Sequence, residues 1–315
     1  MAALLLHMPE MLLCVSLYWD QLFTAPLNQR PIIGVLAMES GETFAQFGKS
    51  YIPASYVKTL ESAGARVAPI SIKLSEAEYT QLFHSMNGVL FPGGVASVQN
   101  SRFAEISAMF YNLTLKANDK GVHFPLWAIC LGFEELTVLT SGENLLTETN
   151  TSNLSLPLKF TKDTLRSRMF KNFPKHLLQA LQTKPLAGHY HNWSITLKKF
   201  TNNKNLANFY KILSTNTDSQ QVEFVSTMEA FRYPIYAVQW HPERSPYEWN
   251  VTLDIPHFSE AVQLAWYLAD FFVNEARKNS YHFSNTTEEE KALIYNYPPI
   301  YTGNISKYDQ IHIID

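Results

Sequence analysis

The sequence lacks the features that mark several classes of protein. It has 25 basic and 28 acidic residues and no long basic run, which argues against nucleic-acid binding. It also lacks a His-Glu-X-X-His segment or comparable ligand spacing, so we expect no metal site. No Gly/Ser-rich or Pro-rich linker divides the chain, which predicts a single domain over residues 26–315. Apolar residues, by contrast, make up 46% of the chain, enough for a substantial core.

The first 25 residues have the composition of a secretory signal peptide. They are rich in Leu and Met and include the apolar run Met11–Trp19, which is shorter than the roughly 20 residues that span a bilayer. A cleaved signal is therefore favoured over a membrane anchor, and we expect no membrane association after cleavage. Seven glycosylation sequons also indicate the secretory pathway; they begin at Asn112, Asn150, Asn153, Asn192, Asn250, Asn285 and Asn304.

Cysteine is scarce, with only Cys14 and Cys130 in the chain. Cys14 would leave with the signal peptide. The mature protein would then carry one unpaired thiol into an oxidising compartment, where an unpaired thiol is a liability unless it is buried or useful. Cys130 is therefore a candidate functional residue.

From Pro31 onward, short apolar runs alternate with amphipathic segments. This alternation predicts an α/β fold, a three-layer sandwich with a mostly parallel central sheet flanked by helices. After about Asn144 the helical rhythm weakens, so we expect a smaller antiparallel region and a C-terminal tail from Ser280 that wraps the surface. We expect strands at 32–38, 66–70, 88–91, 124–129, 223–227 and 235–240, and helices at 51–63, 102–117, 131–140 and 259–278, with a capping box at 75–78.

Cys130 lies where an apolar strand, Trp127-Ala-Ile, runs into a helix that begins Leu131-Gly132. Such a tight turn exposes its central side chain, and the helix N-terminus favours a thiolate. The alternative is that Cys130 is a small buried hydrophobic residue, the usual fate of an unpaired cysteine.

Two further segments follow apolar strands. In Phe91-Pro-Gly-Gly94, the Gly94 N–H and the Leu131 N–H could form an oxyanion hole, although most Gly-Gly turns merely reverse the chain. In His241-Pro-Glu243, the histidine could activate a thiol and the glutamate could fix its tautomer, although such a segment is more often a surface turn.

Taken together, these segments resemble a known pattern. Phe-Pro-Gly-Gly, Cys-Leu-Gly-Phe-Glu-Glu and Gln-Trp-His-Pro-Glu occur in the order found in class I glutamine amidotransferases. The fuller resemblance, from Pro31 to the C-terminus, is to the γ-glutamyl hydrolase family. It includes Ala54-Ser-Tyr-Val-Lys58, Ser167-Arg-Met-Phe170, Tyr247-Glu-Trp249 and Phe271-Phe-Val-Asn-Glu-Ala-Arg-Lys278.

The resemblance implies a cysteine hydrolase that cleaves γ-glutamyl amide bonds of folate and antifolate poly-γ-glutamates. It implies a homodimer, in lysosomes or secreted, with no cofactor. By position, Cys130 is the nucleophile, His241 the general base and acid, and Glu243 its orienter. The family's additional histidine maps to His191, a candidate substrate contact together with Gly93; the alternative, of equal weight, is that His191 packs beside a strand. Ala128 stands where the turn usually has Gly, and we expect slight crowding of the turn without loss of activity.

Two other functions remain open at this point. A metal-dependent hydrolase would use His189, His191, His241 and Glu243 as ligands. A catalytically silent binding protein could also retain this fold, because fold does not fix function.

Overall fold

The computed structural model describes residues 27–315. The expected signal peptide and Cys14 lie outside the described residues.

Fourteen β-strands are present in the described part of the chain. They are β1 (Ile32–Leu36), β2 (Met38–Glu39), β3 (Ser50–Pro53), β4 (Arg66–Ile70), β5 (Gly88–Phe91), β6 (Leu126–Ile129), β7 (Thr147–Leu156), β8 (Lys159–Phe160), β9 (Ala187–Ser194), β10 (Tyr210–Thr217), β11 (Glu223–Ala230), β12 (Ile235–Val238), β13 (Pro299–Tyr301) and β14 (Gln310–Ile313).

The α-helices of the same residues flank and connect these strands. They are α1 (Gly41–Phe44), α2 (Ala54–Ser62), α3 (Glu76–Phe83), α4 (Arg102–Asp119), α5 (Leu131–Ser141), α6 (Lys175–Thr183), α7 (Leu197–Asn202), α8 (Lys204–Phe209), α9 (Arg244–Tyr247), α10 (Ser259–Ala276) and α11 (Thr286–Ala292).

The central sheet has eight strands in the order β4-β1-β5-β6-β12-β11-β10-β8. The five strands from β4 to β12 are parallel, and the last three join antiparallel. A second, antiparallel sheet has the order β13-β14-β3-β2, and β7 pairs with β9. The mostly parallel sheet and the smaller antiparallel region are therefore confirmed.

Each central strand places side chains on both faces of the sheet, because successive side chains point to opposite sides. In β1, Ile33 and Val35 pack into one apolar cluster with α2 and α10. Ile32 and Leu36 pack into the other, with α3, α4 and α5. The three-layer arrangement follows from this continuous burial of both faces. None of the helices in residues 27–315 is both long and apolar enough to cross a membrane.

The expected helix at 51–63 is wrong in its first turn. Ser50–Pro53 forms strand β3, and α2 begins at Ala54 with Pro53 as its N-cap. The segment is extended because it pairs with β2 on one side and with β14 on the other. A partner some 260 residues away in the sequence cannot be seen in a local pattern.

The sequence predicts only that the C-terminal tail wraps the surface. In the structure the tail also contributes strands to a sheet. Strand β14 joins the second sheet, with Ile311 and Ile314 fully buried. The tail thereby brings Tyr308 to the cleft that contains Cys130. The expected weakening of helical order after Asn144 is only partly confirmed, since α6, α7 and α8 lie in that region.

Candidate active site

The carboxyl ends of three adjacent strands, β5, β6 and β12, meet at one edge of the central sheet. Gly93 and Gly94 follow β5, Cys130 follows β6, and His241 lies three residues beyond β12. Ligands of open α/β sheets bind beyond the carboxyl ends of the strands. The fold therefore brings the three segments selected from the sequence to the position where chemistry is expected.

Cys130 has a strained backbone. Its φ is +51°, a left-handed value that is unfavourable for a non-glycine residue and costs about 1–3 kcal/mol. The N–H of Cys130 donates to the Val238 carbonyl at 2.9 Å, and that of Gly132 donates to the Pro92 carbonyl at 3.2 Å. These bonds tie the turn to both neighbouring segments. The strain is typical of a nucleophile on a sharp strand-to-helix turn.

Gly132 permits the close approach of α5 to strand β5. A Cβ atom at this position would lie only 2.3 Å from the Phe91 carbonyl oxygen. Ala128, by contrast, lies inside β6, paired with Phe91 and Ala237, and does not have a positive φ. The strain of the turn is thus at Cys130 and leaves Ala128 in ordinary strand geometry.

His241 and Glu243 form a buried pair. Nδ1 of His241 lies 2.7 Å from Oε1 of Glu243, and the two side chains are 2% and 0% exposed. The backbone N–H of His241 donates to the Gly188 carbonyl at 2.9 Å, which fixes this segment to β9. A carboxylate on Nδ1 selects the tautomer that leaves Nε2 free to accept a proton.

Gly93 separates the cysteine from the histidine. A Cβ atom on Gly93 would lie 2.7 Å from Cε1 of His241 and 3.0 Å from Cβ of Cys130. The side chains of Cys130 and His241 therefore both approach the Cα atom of Gly93. No hydrogen bond links the thiol to the imidazole within residues 27–315, and catalytic hydrogen bonds are often long before substrate binds. The Gly93 N–H donates to the Tyr56 hydroxyl at 2.8 Å.

The two predicted oxyanion donors, Leu131 and Gly94, are both associated with the Cys130 site. The N–H of Leu131 acts on the Cys130 sulfur, since this backbone hydrogen bond lowers the pKa of the thiol. Gly94 lines the same cleft as Cys130. Since the Gly93 N–H is occupied by Tyr56, Gly94 is the glycine of this turn that remains suited to receive an oxyanion.

One cleft joins these groups. It has a volume of about 470 Å³, within the ~300–1,000 Å³ typical of small-molecule sites. Cys130, His241 and Gly94 line it together with Tyr190, Arg244 and Tyr308. The Cys130 side chain is mostly buried, yet it borders a space that a substrate can enter.

Burial disfavours the charged forms of Cys130 and His241. It raises the pKa of the Cys130 thiol well above its usual value, and the Glu134 carboxylate raises it further, while Arg244 lowers it. Burial lowers the pKa of His241, although Glu243 acts in the opposite direction. The expected thiolate-stabilising effect of the helix N-terminus is therefore present but outweighed. Both shifts favour the neutral forms of the thiol and the imidazole in the unliganded enzyme.

His191 does not line this cleft. Its Nε2 lies 2.9 Å from Nδ1 of His189, and its Nδ1 lies 3.0 Å from the Thr151 hydroxyl. From the same strand, Tyr190 projects into the cleft, with its ring centroid 5.4 Å from that of His241. His191 is thus hydrogen-bonded within the strand pair β7–β9, and Tyr190 is the residue of β9 that lines the cleft.

Sequence reasoning missed Tyr56, Arg244 and Tyr308. Arg244 directly follows the His241-Pro-Glu243 segment, so its position was a signal that could have found it. Tyr56 and Tyr308 carry no such local signal. Tyr56 contacts the Gly93 N–H from α2, and Tyr308 reaches the cleft from the C-terminal tail. Among residues 27–315, no group of three or more His, Cys, Asp or Glu side chains has an arrangement suited to a metal ion.

A strained cysteine at a strand-to-helix turn, beside a buried His–Glu pair in a cleft, is the arrangement of a hydrolase with a cysteine nucleophile. The Peptidase C26 family model matches residues 31–243, a range that includes Cys130, His241 and Glu243.

Gamma-glutamyl hydrolase from Bos taurus is 53% identical over 92% of this chain and 92% of its own length. The Homo sapiens enzyme of the same name is 52% identical over 91% and 90%. Among solved structures, the glutaminase domain of Trypanosoma brucei CTPS with bound acivicin aligns with 81% of this chain and 97% of its own, at 14% identity and a TM-score of 0.49. The chain belongs to the Peptidase C26 family, with the gamma-glutamyl hydrolases, and it is a hydrolase.

Proposed function

We propose that this enzyme hydrolyses the γ-glutamyl amide bonds of folate and antifolate poly-γ-glutamates through a thioester on Cys130. The observation that carries the proposal is the cleft in which the strained Cys130 meets His241, itself held by Glu243 at 2.7 Å. The gamma-glutamyl hydrolases among its relatives support the choice of substrate bond.

The reaction begins with transfer of the Cys130 proton to Nε2 of His241 as the sulfur attacks the γ-carbonyl carbon. The carbonyl oxygen becomes an oxyanion, which accepts hydrogen bonds from the N–H groups of Gly94 and Leu131, each contributing about 3 kcal/mol. The C–N bond then breaks, and His241 returns its proton to the departing amine. Glu243 stabilises the imidazolium that exists between these steps.

Water completes the cycle. His241 removes a proton from a water molecule, whose oxygen attacks the thioester carbonyl. The C–S bond then breaks, His241 returns this proton to the sulfur, and the γ-carboxylic acid that is released ionises in solvent.

Incubation with folate pentaglutamate tests the proposal. The wild-type enzyme should shorten the glutamate chain and accumulate a trappable thioester, whereas Cys130→Ala should do neither. Activity should survive a chelator and be lost to iodoacetamide, which separates this mechanism from a metal-dependent one. Equal turnover by wild type and Cys130→Ala would refute the thioester mechanism. Absence of turnover by a folded wild-type enzyme would refute the proposed substrate class.

We further propose that the protein enters the secretory pathway by a cleaved N-terminal signal and acts in lysosomes or after secretion. Six of the seven sequon asparagines are exposed, and Asn250 is half-buried, with its amide donating to the Ser306 carbonyl at 3.2 Å. Exposed sequons are available to the glycosylation machinery. Endoglycosidase treatment and N-terminal sequencing of the secreted protein test the assignment; an intact Met1 would contradict it.

A homodimer is the assembly we propose. In support, helix α10 exposes Val262 and Trp266, which are 39% and 44% exposed and border a groove of about 430 Å³ with Tyr247. Large exposed apolar side chains are typical of protein interfaces. Sedimentation equilibrium should give twice the chain mass, and Val262→Asp should weaken the association. A monomeric wild type at micromolar concentration would exclude it.

A further inference from the structure

Arg244 is an unusual residue in the cleft because its charge is buried. The residue is 3% exposed and begins α9, directly after Glu243. Its guanidinium carbon lies 4.8 Å from the ring centroid of Tyr190 and 4.9 Å from that of Tyr308. The guanidinium is therefore held between two aromatic faces, which fixes its plane.

The hydrogen-bonding capacity of this guanidinium is not used within the described part of the chain. Both Nε and Nη1 are buried and form no hydrogen bond there. The nearest carboxylate oxygen in an ion pair, Oε1 of Glu243, is 4.0 Å from Nε and already contacts Nδ1 of His241. A buried charged group whose N–H donors lack hydrogen-bond partners destabilises a protein, so the presence of Arg244 in the cleft needs an explanation.

The electrostatic setting of the cleft favours an anion beside Arg244. Among residues 27–315, the basic residues that line the cleft besides Arg244 are His241 and Lys307, and Lys307 is exposed and therefore hydrated. Glu39 also lines the cleft; its Oε1 accepts the backbone N–H of Arg102 at 2.7 Å, its Oε2 has no hydrogen-bond partner in the described residues, and it forms no ion pair with Arg244 there. Arg244 is thus the desolvated cation of the cleft that contains Cys130.

We propose that Arg244 binds the α-carboxylate of a γ-linked glutamate next to the scissile bond. This inference rests on the proposed function and specifies which group of the substrate the enzyme recognises. The planar guanidinium presents parallel N–H donors that match the two oxygens of a carboxylate, which a lysine cannot do. In a poly-γ-glutamate the residues on both sides of the scissile bond carry a free α-carboxylate, and either one presents the same chemistry.

If the bound α-carboxylate is that of the acyl glutamate, Arg244 gives the enzyme selectivity for γ-linked over α-linked chains. In an α-linked peptide the α-carboxyl group of the acyl glutamate is itself the scissile carbonyl, so a guanidinium placed for that carboxylate would stay unpaired in the complex. Sites built around buried polar groups strongly reject ligands that leave those groups unpaired. The same binding would place the γ-carbonyl beside Cys130, since the α-carbon and the γ-carbonyl carbon of a glutamate are separated by only two methylene groups.

Three substrates test the inference: an N-acyl-γ-glutamyl-glutamate, an analogue with an α-carboxamide on the acyl glutamate, and one with an α-carboxamide on the leaving glutamate. The wild-type enzyme should lose about 100-fold in kcat/KM on one of the analogues, the loss expected for one charge-assisted pair. In Arg244→Gln the parent and that analogue should be cleaved equally well. Arg244→Lys should give an intermediate ratio.

The matched control is Arg168→Gln. Arg168 also lies over a tyrosine ring, 5.1 Å from the centroid of Tyr236, but outside the cleft. This variant should keep the wild-type ratio between substrates.

The ratio separates recognition from general effects of Arg244 on the pKa of Cys130 or on folding, because those effects are common to all three substrates. Equal loss on all substrates in Arg244→Gln would overturn the inference, as would a wild-type enzyme that cleaves both analogues as fast as the parent. The second result would leave the proposed function intact. A wild type that cleaves none of the three would refute the proposed function itself.

Discussion

The imidazole of His241 and the carboxylate of Glu243 lie two residues apart on one short segment, with Nδ1 and Oε1 separated by 2.7 Å. Pro242 and Glu243 form a turn that leads into α9, and the hydrogen bond from the His241 N–H to the Gly188 carbonyl fixes the start of this segment. The other oxygen of Glu243, Oε2, is buried and has no hydrogen-bond partner in residues 27–315. The whole hydrogen-bonding role of this carboxylate is thus directed at the histidine.

Glu243→Gln should lower kcat by about 1,000- to 10,000-fold, the loss seen when a triad carboxylate becomes an amide. The amide no longer imposes the Nδ1–H tautomer, and it does not stabilise the imidazolium. Steady-state kinetics on a γ-glutamyl substrate measure the effect. Glu275→Gln is the control: Glu275 is also buried, bound to Tyr236 at 3.0 Å, and lies outside the cleft. A kcat within a few-fold of wild type in Glu243→Gln would remove Glu243 from the mechanism.

Gly93→Ala should reduce kcat by about 100-fold, the effect of displacing a catalytic group by ~1 Å. The new methyl group would lie 2.7 Å from Cε1 of His241 and 2.8 Å from the Tyr56 hydroxyl, so the ring must move. Gly121→Ala provides the comparison: no atom lies within 4 Å of its added Cβ, although its φ of +81° makes the change slightly destabilising. Full activity in Gly93→Ala would show that the close packing above Gly93 does not position the histidine.

The acid limb of the kcat/KM profile should lie below pH 6.5, the ordinary pKa of histidine. Burial lowers the pKa of His241, so the imidazole stays neutral and able to accept the Cys130 proton at lower pH than a free imidazole would. Glu243 raises the pKa of His241, and therefore Glu243→Gln should move the limb to still lower pH. An acid limb at or above pH 6.5 in the wild type would contradict the neutral pair inferred for the unliganded enzyme.

Local patterns predict the parts of this fold that local interactions determine. Strands 66–70 and 88–91 were predicted to the residue, and the capping box at Ser75 is present, with its hydroxyl accepting the Glu78 N–H at 3.4 Å. The segment 50–53 was mispredicted because one strand partner, β14, is distant in the sequence and the other, β2, has only two residues. The same distinction decides which site residues the sequence reveals. Cys130 and His241 were found because each follows an apolar strand. Tyr308 was missed because its position depends on how the C-terminal tail pairs with distant strands.

Buried carboxylates on α5 should make the protein less stable as the pH rises from about 6.5 to 8. Burial raises the pKa of Glu134 and of Glu135 to about 8, from an ordinary 4.5. Between these values the folded state binds more protons than the unfolded chain, so the free energy of unfolding falls as pH increases. The buried histidines have lowered pKa values and act oppositely, but only below about pH 6.5, the ordinary histidine value.

Glu135→Gln isolates this effect, because the Oε2 atom of Glu135 is buried without a hydrogen-bond partner among residues 27–315. The amide has no proton to lose, so the decline of Tm between pH 6.5 and 8 should become shallower than in the wild type. Glu248, whose pKa burial raises to about 7, contributes to the decline that remains. Thermal unfolding followed by circular dichroism at closely spaced pH values measures both slopes. Identical slopes in wild type and variant would mean that the Glu135 carboxyl titrates at its ordinary pKa in the folded protein.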